Sequence, residues 1–315
     1  MRLHIVIVNY RTGDLVIDCL RSLESEIEPG IDVVVTDNAS GDDSILRIAD
    51  FIQKQNYAWA TTIPLTRNGG FAYGNNEAIR PVLSQRPKYI LLLNPDTVVR
   101  PGALRELLNF MDANPKVGIA GSRLEDPDGT PQRSAFKFHS IASEFERGIR
   151  LGFVSKLFAR KIVAQPVPET NVPCDWVAGA SMMVRREVFE QAGLMDEKYF
   201  MYFEEVDFCR AAKRAGWACW YVPSSRVVHL VGAASQLSDA RKHRKRRPTY
   251  WFDSRRRYFL KNHGVIYTLL ADVAFAIGFA LWRLRRFVQR KPDPDPPKML
   301  GDFIRNSVIL RGAAI

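Results

Sequence analysis

The chain has 315 residues, 46% of them hydrophobic and 25% charged, which excludes a disordered chain and allows one large α/β domain with an appendage. Its net charge of +11 is gathered in one place: from Arg241 to Lys291 about fifteen Lys/Arg stand against two acids, Asp253 and Asp272, while the first two hundred residues are near neutral. The four cysteines, Cys19, Cys174, Cys209 and Cys219, show no CxxC or zinc spacing, and the N-terminus does not look like a secretion signal, so reduced, mostly buried thiols in a cytoplasmic protein are expected.

Residues 3–10 are mostly β-branched and end in Asn9-Tyr10, the pattern of a first strand that delivers Asn9 at its exit. From residue 14 to 25 the apolar side chains of Leu15, Val16, Cys19, Leu20 and Leu23 recur at helical spacing, and Pro29-Gly30 closes the helix. Residues 31–38 predict a second strand, whose polar end, Asp37-Asn38-Ala39-Ser40-Gly41-Asp42, is a turn that caps a helix from Ser44. Residues 63–65 then lead into Arg67-Asn68-Gly69-Gly70-Phe71-Ala72-Tyr73-Gly74, and a helix follows from Glu77. Glycines in such a turn let backbone N–H groups approach a phosphate or ribose, and the helix N-terminus favours an anion, although many such turns serve only as turns.

The five apolar residues Tyr89-Ile90-Leu91-Leu92-Leu93 suit a central parallel strand covered by helices on both faces. Pro95 lacks the N–H that a ladder needs, so the strand ends there and Asp96 falls at the carboxyl edge of the sheet, where open α/β sheets bind ligands. Asn, Pro and Asp are also ordinary turn residues. Residues 101–111 predict a helix with Leu104, Leu107, Leu108 and Met111 on one face, residues 117–121 a strand, and residues 126–129 a turn. Residues 134–173 are poorly patterned and suit an acceptor-side flap or a packed edge; strand character returns over 176–184.

Glu204, Glu205 and Asp207 lie within one turn after an aromatic run, and such crowding raises at least one carboxyl into the range of a general base. Salt bridges to Arg210, Lys213 and Arg214, on a helix beginning at Asp207, are the alternative use of these acids. His229 ends a short apolar strand, a place where histidine is more often structural than a ligand. Beyond it come the charge run 241–248, a stretch mixing aromatics with Arg255-Arg256-Arg257, and an apolar segment, 265–282, interrupted by Asp272. An aspartate at the centre of a bilayer costs about 2.5–3.5 kcal/mol, so a helix lying in the interface of an anionic membrane surface fits better than a span. Each basic residue of its flanks would add about 1 kcal/mol of attraction; a helix packed on the domain is the alternative. Residues 291–297 suit an extended Pro-rich linker, and the last fifteen residues show no pattern.

In order and spacing, Val8-Asn9-Tyr10, Thr36-Asp37-Asn38-Ala39-Ser40, Asn68-Gly69-Gly70-Phe71-Ala72 and Leu93-Asn94-Pro95-Asp96 resemble the nucleotide-sugar half of family-two glycosyltransferases, in particular bacterial rhamnosyltransferases and galactofuranosyltransferases. The resemblance continues through Cys174-Asp175-Trp176-Val177-Ala178-Gly179-Ala180, the block from Phe200 to Cys209 and His229, and covers about residues 3–260. It implies a GT-A fold, an α/β, mostly parallel sheet flanked by helices. The domain would occupy residues 1–235, with a nucleotide-sugar half over 1–122 and an acceptor half over 123–235, before a basic, apolar, membrane-associating helical region over 236–290 and a linker and tail over 291–315.

Carried over residue by residue, the resemblance implies that Asn9, Asp37, Asn38, Arg67, Asn68 and Gly69 bind the nucleotide and that Asp96 binds Mg²⁺ or Mn²⁺, which neutralises a leaving diphosphate. Many relatives present Asp-x-Asp where this chain has Asn94, which leaves Asp96 as the one carboxylate there; His229, at the spacing of the family's metal-binding histidine, becomes the second ligand. Glu205 would take the proton of the acceptor hydroxyl, supported by Glu204 and Asp207, with Trp176 and Gly179 against the sugars. The expected reaction is inverting, metal-dependent transfer from a nucleotide-sugar donor, dTDP-rhamnose first and a UDP-sugar next, to a hydroxyl of a lipid-linked or growing cell-surface glycan. The enzyme would be cytoplasmic, peripheral on the inner face of the plasma membrane. A sugar-phosphate nucleotidylyltransferase would carry a basic glycine-rich loop where Asn9-Tyr10-Arg11-Thr12-Gly13 stands. A nucleic-acid-binding protein would explain the basic tail but not the acidic block, so no nucleic-acid partner is expected.

Overall fold

The computed structural model describes residues 1–230 and 245–314. They form two compact units, one of residues 1–136, 166–200 and 204–230, the other of residues 137–165, 201–203 and 245–314.

The first unit begins with four strands, β1 (Leu3–Asn9), β2 (Ile31–Asp37), β3 (Ala60–Pro64) and β4 (Tyr89–Leu93), which lie side by side in the order β3-β2-β1-β4, all parallel. Helices α1 (Gly13–Leu23), α2 (Ser44–Lys54) and α3 (Gly70–Val82) make the crossovers. Every residue of β1 and β4 is buried, which is why neither strand alternates polar with apolar. Each large aliphatic side chain placed in this core contributes roughly 1.5–3 kcal/mol. The register sets Asn9 opposite Asp37, so the exits of β1 and β2 coincide.

The chain continues through β5 (Thr97–Val99), α4 (Ala103–Ala113), β6 (Val117–Glu125) and β7 (Ala135–Phe136). Helices α5 (Ile141–Ile149) and α6 (Gly152–Leu157), in the second unit, precede β8 (Val172–Cys174), β9 (Trp176–Val177) and β10 (Ser181–Arg185). Helices α7 (Arg186–Ala192) and α8 (Glu204–Arg214) and strand β11 (Ala218–His229) complete the first unit. The sheet extends as β4-β10-β6-β11-β5, with β8 on β11, while β7 and β9 pair by themselves.

Several expectations are corrected here. Strand β4 has a parallel neighbour on one side only, because β10 enters between β4 and β6 antiparallel to both. Burial of both faces, not the direction of the neighbours, writes the apolar run. Residues 176–184 are two strands, not one, and His229 ends a twelve-residue strand whose register shifts between Val222 and Arg226. The acidic helix starts at Glu204, not at Asp207. The four cysteines are free and three of them buried, as the sequence led one to expect.

The poorly patterned stretch 134–173 holds α5 and α6. Ser140 opens α5 with a reciprocal cap: its hydroxyl accepts from the Ser143 amide at 3.2 Å and the Ser143 hydroxyl from the Ser140 amide at 2.8 Å. In the same unit, α9 (Thr249–Val288) is two helices joined at Gly264, whose φ of 77° is non-helical. Gly148 on α5 and Gly278 on α9 let these helices touch backbone to backbone: a Cβ on Gly148 would lie 2.8 Å from the Phe275 carbonyl, and one on Gly278 equally close to that of Phe145.

Asp272 turns into this unit and pairs with Arg255, which also donates to Glu144, through Nε at 2.9 Å. The remaining Asp272 oxygen accepts the Val308 amide at 2.8 Å. Burial alone would raise the Glu144 carboxyl, but the guanidiniums of Arg147 and Arg255 hold it well below its usual range. The unpatterned C-terminus is folded, as α10 (Met299–Arg305) and α11 (Val308–Arg311). The stretch 291–297 is not a free linker: Asp293 pairs with Arg283 and Arg286, and Asp295 with Arg150 and the Trp282 indole. Of the basic run, Arg241 to Arg244 lie outside the described residues, and Lys245 to Arg247 are exposed.

Candidate active site

The predicted site residues of the first unit collect at the carboxyl edge of its parallel strands. At the exits of β1 and β2, Asn9 is fully buried and its amide is used within the chain. It donates to Asp37 Oδ1 at 2.6 Å and Ser44 Oγ at 2.9 Å, and its carbonyl accepts from the Thr12 amide and hydroxyl. Asp37 also receives the Ser40 amide on Oδ2 at 3.1 Å. Asn9 therefore builds the Asp37 turn rather than opening to a ligand.

The next strand exit adds the glycine-rich turn. Asn38 donates from Nδ2 to the Gly70 carbonyl at 2.9 Å, and Asn68 Oδ1 accepts the Gly70 amide at 3.1 Å. Gly70 has a φ of +87°, and a Cβ there would fall 1.9 Å from the Phe200 carbonyl oxygen. Only glycine fits both conditions. Gly69 is equally closed, since a Cβ would lie 2.4 Å from the Tyr73 ring. Arg67 is exposed, its guanidinium 4.1 Å above that same ring.

Asp96, in the turn just before β5, and His229, at the end of β11, are far apart in sequence and meet where Thr97 stands opposite His229. Asp96 is buried, with His229 Nε2 3.5 Å from its Oδ1. The turn that carries Asp96 is pinned from both sides: the Thr97 hydroxyl donates to the Asn94 carbonyl at 2.7 Å, and the Leu230 amide to the Asp96 carbonyl at 2.9 Å. A carboxylate oxygen and an imidazole nitrogen this close, both shielded, suit a divalent cation such as Mn²⁺ or Mg²⁺. No group of three His, Cys, Asp or Glu suited to a metal occurs among the described residues, so the remaining donors would come from a substrate diphosphate and water.

Glu205 of α8 approaches the same edge at the turn between β9 and β10. The Asn94 amide donates to the Ala180 carbonyl at 3.0 Å, and a Cβ on the adjacent Gly179 would lie 3.3 Å from the Phe71 ring and 3.8 Å from Glu205 Cβ. The Phe71 amide donates in turn to the Phe200 carbonyl at 3.0 Å. Gly179 thus sits between the glycine-rich turn and the start of α8. Tyr202 and Phe203, just before that helix, have φ of 72° and 69°, a left-handed pair that is costly for bulky residues and marks a specified turn. Glu205 is half-buried, and its shielded Oε2 has no hydrogen-bond partner among the described residues. Burial pushes its carboxyl up to about 7, against the pull of the Glu205 and Val206 amides. Glu204 and Asp207 are buried beside it, and Trp176 lies stacked on Phe136 with ring centres 4.1 Å apart.

Two supports carried no sequence signal. Gln132 Nε2 donates to the His229 carbonyl at 2.9 Å, and fully buried Glu125 gathers Arg100, Arg123 and Arg226 beneath the end of β11. Both act across distances that no local pattern records.

The profile of Glycosyl transferase family 2 matches residues 4–192, the part of the chain that holds Asp37, the glycine-rich turn and Asp96. The chain belongs to this family. As a family 2 glycosyltransferase it is 28% identical over 240 residues to the N-acetylglucosaminyl-diphospho-decaprenol L-rhamnosyltransferase of Mycobacterium tuberculosis, covering 72% of this chain and 75% of that one. It is 27% identical over 217 residues to the dTDP-rhamnosyl transferase RfbF of Shigella flexneri, covering 69% and 66%. Its fold resembles that of a mannosyltransferase from Pyrobaculum calidifontis solved with GDP-Man and Mn²⁺, with a TM-score of 0.57 over 99% of this chain and 81% of the other, at 14% identity. The glycosyltransferase is GT-A-like, a mixed and mostly parallel sheet flanked by helices.

Proposed function

We propose that this glycosyltransferase moves L-rhamnose from dTDP-rhamnose to a hydroxyl of a lipid-linked or growing cell-surface glycan, with inversion at the anomeric carbon. Two rhamnosyltransferases among its relatives support the donor and the class of acceptor. The mechanism rests on one observation: Glu205, at the start of α8, carries a shielded oxygen with no partner among the described residues and a carboxyl raised to about 7. Such a group can hold a proton lightly and take one from a hydroxyl near neutral pH.

In this reading the acceptor hydroxyl gives its proton to Glu205 as its oxygen bonds to the anomeric carbon. The bond from that carbon to the diphosphate oxygen breaks on the opposite face, and the nucleoside diphosphate leaves. Asp37, Asn38, Arg67, Asn68 and Gly69 would bind the nucleotide, with Asn9 acting through Asp37. Asp96 and His229 would hold Mg²⁺ or Mn²⁺, which when bound supplies positive charge to the leaving diphosphate. Asn94 and Gly179 keep the edge open between these groups, Trp176 lines the sugar side, and Glu204 and Asp207 support the base.

The test is release of nucleoside diphosphate with a panel of dTDP-, UDP-, GDP- and CDP-sugars and a polyprenyl-diphosphate-linked acceptor, with the product anomer read by NMR. Turnover with dTDP-rhamnose and an inverted product is expected. A guanosine or cytidine donor as the preferred substrate, or a retained anomer, would overturn the reading.

A further inference from the structure

The second segment of α9 has two faces with different occupants. Its inner face, with Ala271, Asp272, Phe275, Gly278 and Phe279, is buried within the second unit. Its outer face presents Ile266, Leu270, Val273, Ile277, Leu281 and Leu284, 36–77% exposed and three or four residues apart, which is one continuous stripe on a helix. From Val265 to Val288 that helix is about 36 Å long at 1.5 Å per residue. Apolar side chains this large, this many and in one line are not the scattered exposure of an ordinary surface.

Charge identifies what covers the stripe. Between Val265 and Lys291 the one acid is Asp272, and it is buried against Arg255. Exposed Lys261 precedes the stripe, and exposed Arg290 and Lys291 follow it. Arg285 donates to the carbonyls of Ile149 and Arg150, which brings the start of α6 to the same end of the helix. On α6, Phe153 and Leu157 are exposed beside exposed Lys156. An apolar line with basic groups at both ends is complementary to a hydrocarbon surface bearing anionic headgroups. Two copies of the chain joined through the stripe would bring basic ends together in either orientation.

The helix is long and apolar enough to cross a membrane. Crossing would carry its inner partners, including Glu144, Arg147 and Arg255, into hydrocarbon with it. We propose that the segment lies flat on an anionic bilayer, the stripe from Ile266 to Leu284 sunk among the acyl chains and its inner face kept on the protein. This goes beyond the transfer reading and does not depend on it.

The experiment is co-sedimentation of the full chain with vesicles of phosphatidylcholine alone or mixed with phosphatidylglycerol, at low and high salt. The protein should pellet with the anionic vesicles, at least about tenfold more weakly with neutral ones and more weakly in high salt. Ile277→Gln with Leu281→Gln, both at exposed positions, should lower anionic partitioning at least about tenfold while the thermal melt stays within a few degrees. Arg290→Glu with Lys291→Glu should weaken the salt-sensitive part. A chain that stays in the supernatant with anionic vesicles, or a glutamine variant that binds like the parent, would overturn the proposal. So would a dimer that the glutamine variant splits while vesicles capture neither form.

Discussion

Glu205→Gln should make the enzyme worse and, above neutral pH, more stable. Burial raises this carboxyl from its ordinary 4.5 to about 7. Below pH 4.5 the carboxyl is protonated in both folded and unfolded chains and costs nothing. Between 4.5 and 7 the unfolded chain gives up a proton that the folded chain keeps, so stability falls as pH rises. Above 7 both are ionised and the full penalty of confining the charge remains, about 3 kcal/mol at 1.36 kcal/mol per pH unit. Residual solvent contact of the half-buried side chain lowers that figure. Glutamine has nearly the same shape and no proton to lose, so between pH 5 and pH 8 the variant should gain about 2 kcal/mol on the parent. Turnover should move the other way: the parent's rate should climb with pH through about 7 as the base ionises, and the variant should lose about 10²- to 10⁴-fold in kcat with donor affinity unchanged. Urea unfolding at the two pH values, initial rates across the same range and calorimetric donor binding read all three quantities. A variant within a few-fold of the parent's turnover, or one whose unfolding follows pH as the parent's does, would refute the assignment of the base and the account of its raised carboxyl.

Asp96→Ala should lower kcat by about 10²- to 10³-fold, by analogy with the loss of one electrostatic contact to a developing charge, and EDTA should abolish the parent's turnover. Full activity in EDTA would count against a metal at Asp96 and His229. Gly70→Ala forces a side chain into a left-handed backbone and against the Phe200 carbonyl, so urea unfolding should show a loss of more than about 1 kcal/mol; equal stability would show that the turn relaxes freely. Asp272→Asn removes one of the two carboxylates around buried Arg255. With Glu144 left to compensate, the loss should fall near the lower end of the range for a broken buried pair, about 3 kcal/mol by denaturation, and a neutral substitution would mean that Asp272 is not held as described.

The sequence by itself determined whatever depends on neighbours along the chain. The buried runs of β1, β2 and β4, the stop at Pro95, the turns at Asp37 and Gly70 and the crowding of Glu204, Glu205 and Asp207 are local patterns, and burial or backbone geometry writes them directly into residue type. Tertiary structure alone decided that β10 enters antiparallel beside β4, that His229 stands 3.5 Å from Asp96, and that Gln132 and Glu125 support the strand carrying that histidine. It also decided the fate of Asp272. Read in line, that residue is a charge in an apolar helix; folded, it is the partner of an arginine seventeen positions away and of an amide on α11. Helix α5 escaped the pattern because its inward face carries Glu144 and Gly148, one matched by Arg255 and the other required for contact with Gly278, neither of which scores as apolar. The free energy of a buried charge or a backbone contact is set by a partner elsewhere in the chain, and a periodicity read over a few residues carries no record of that partner.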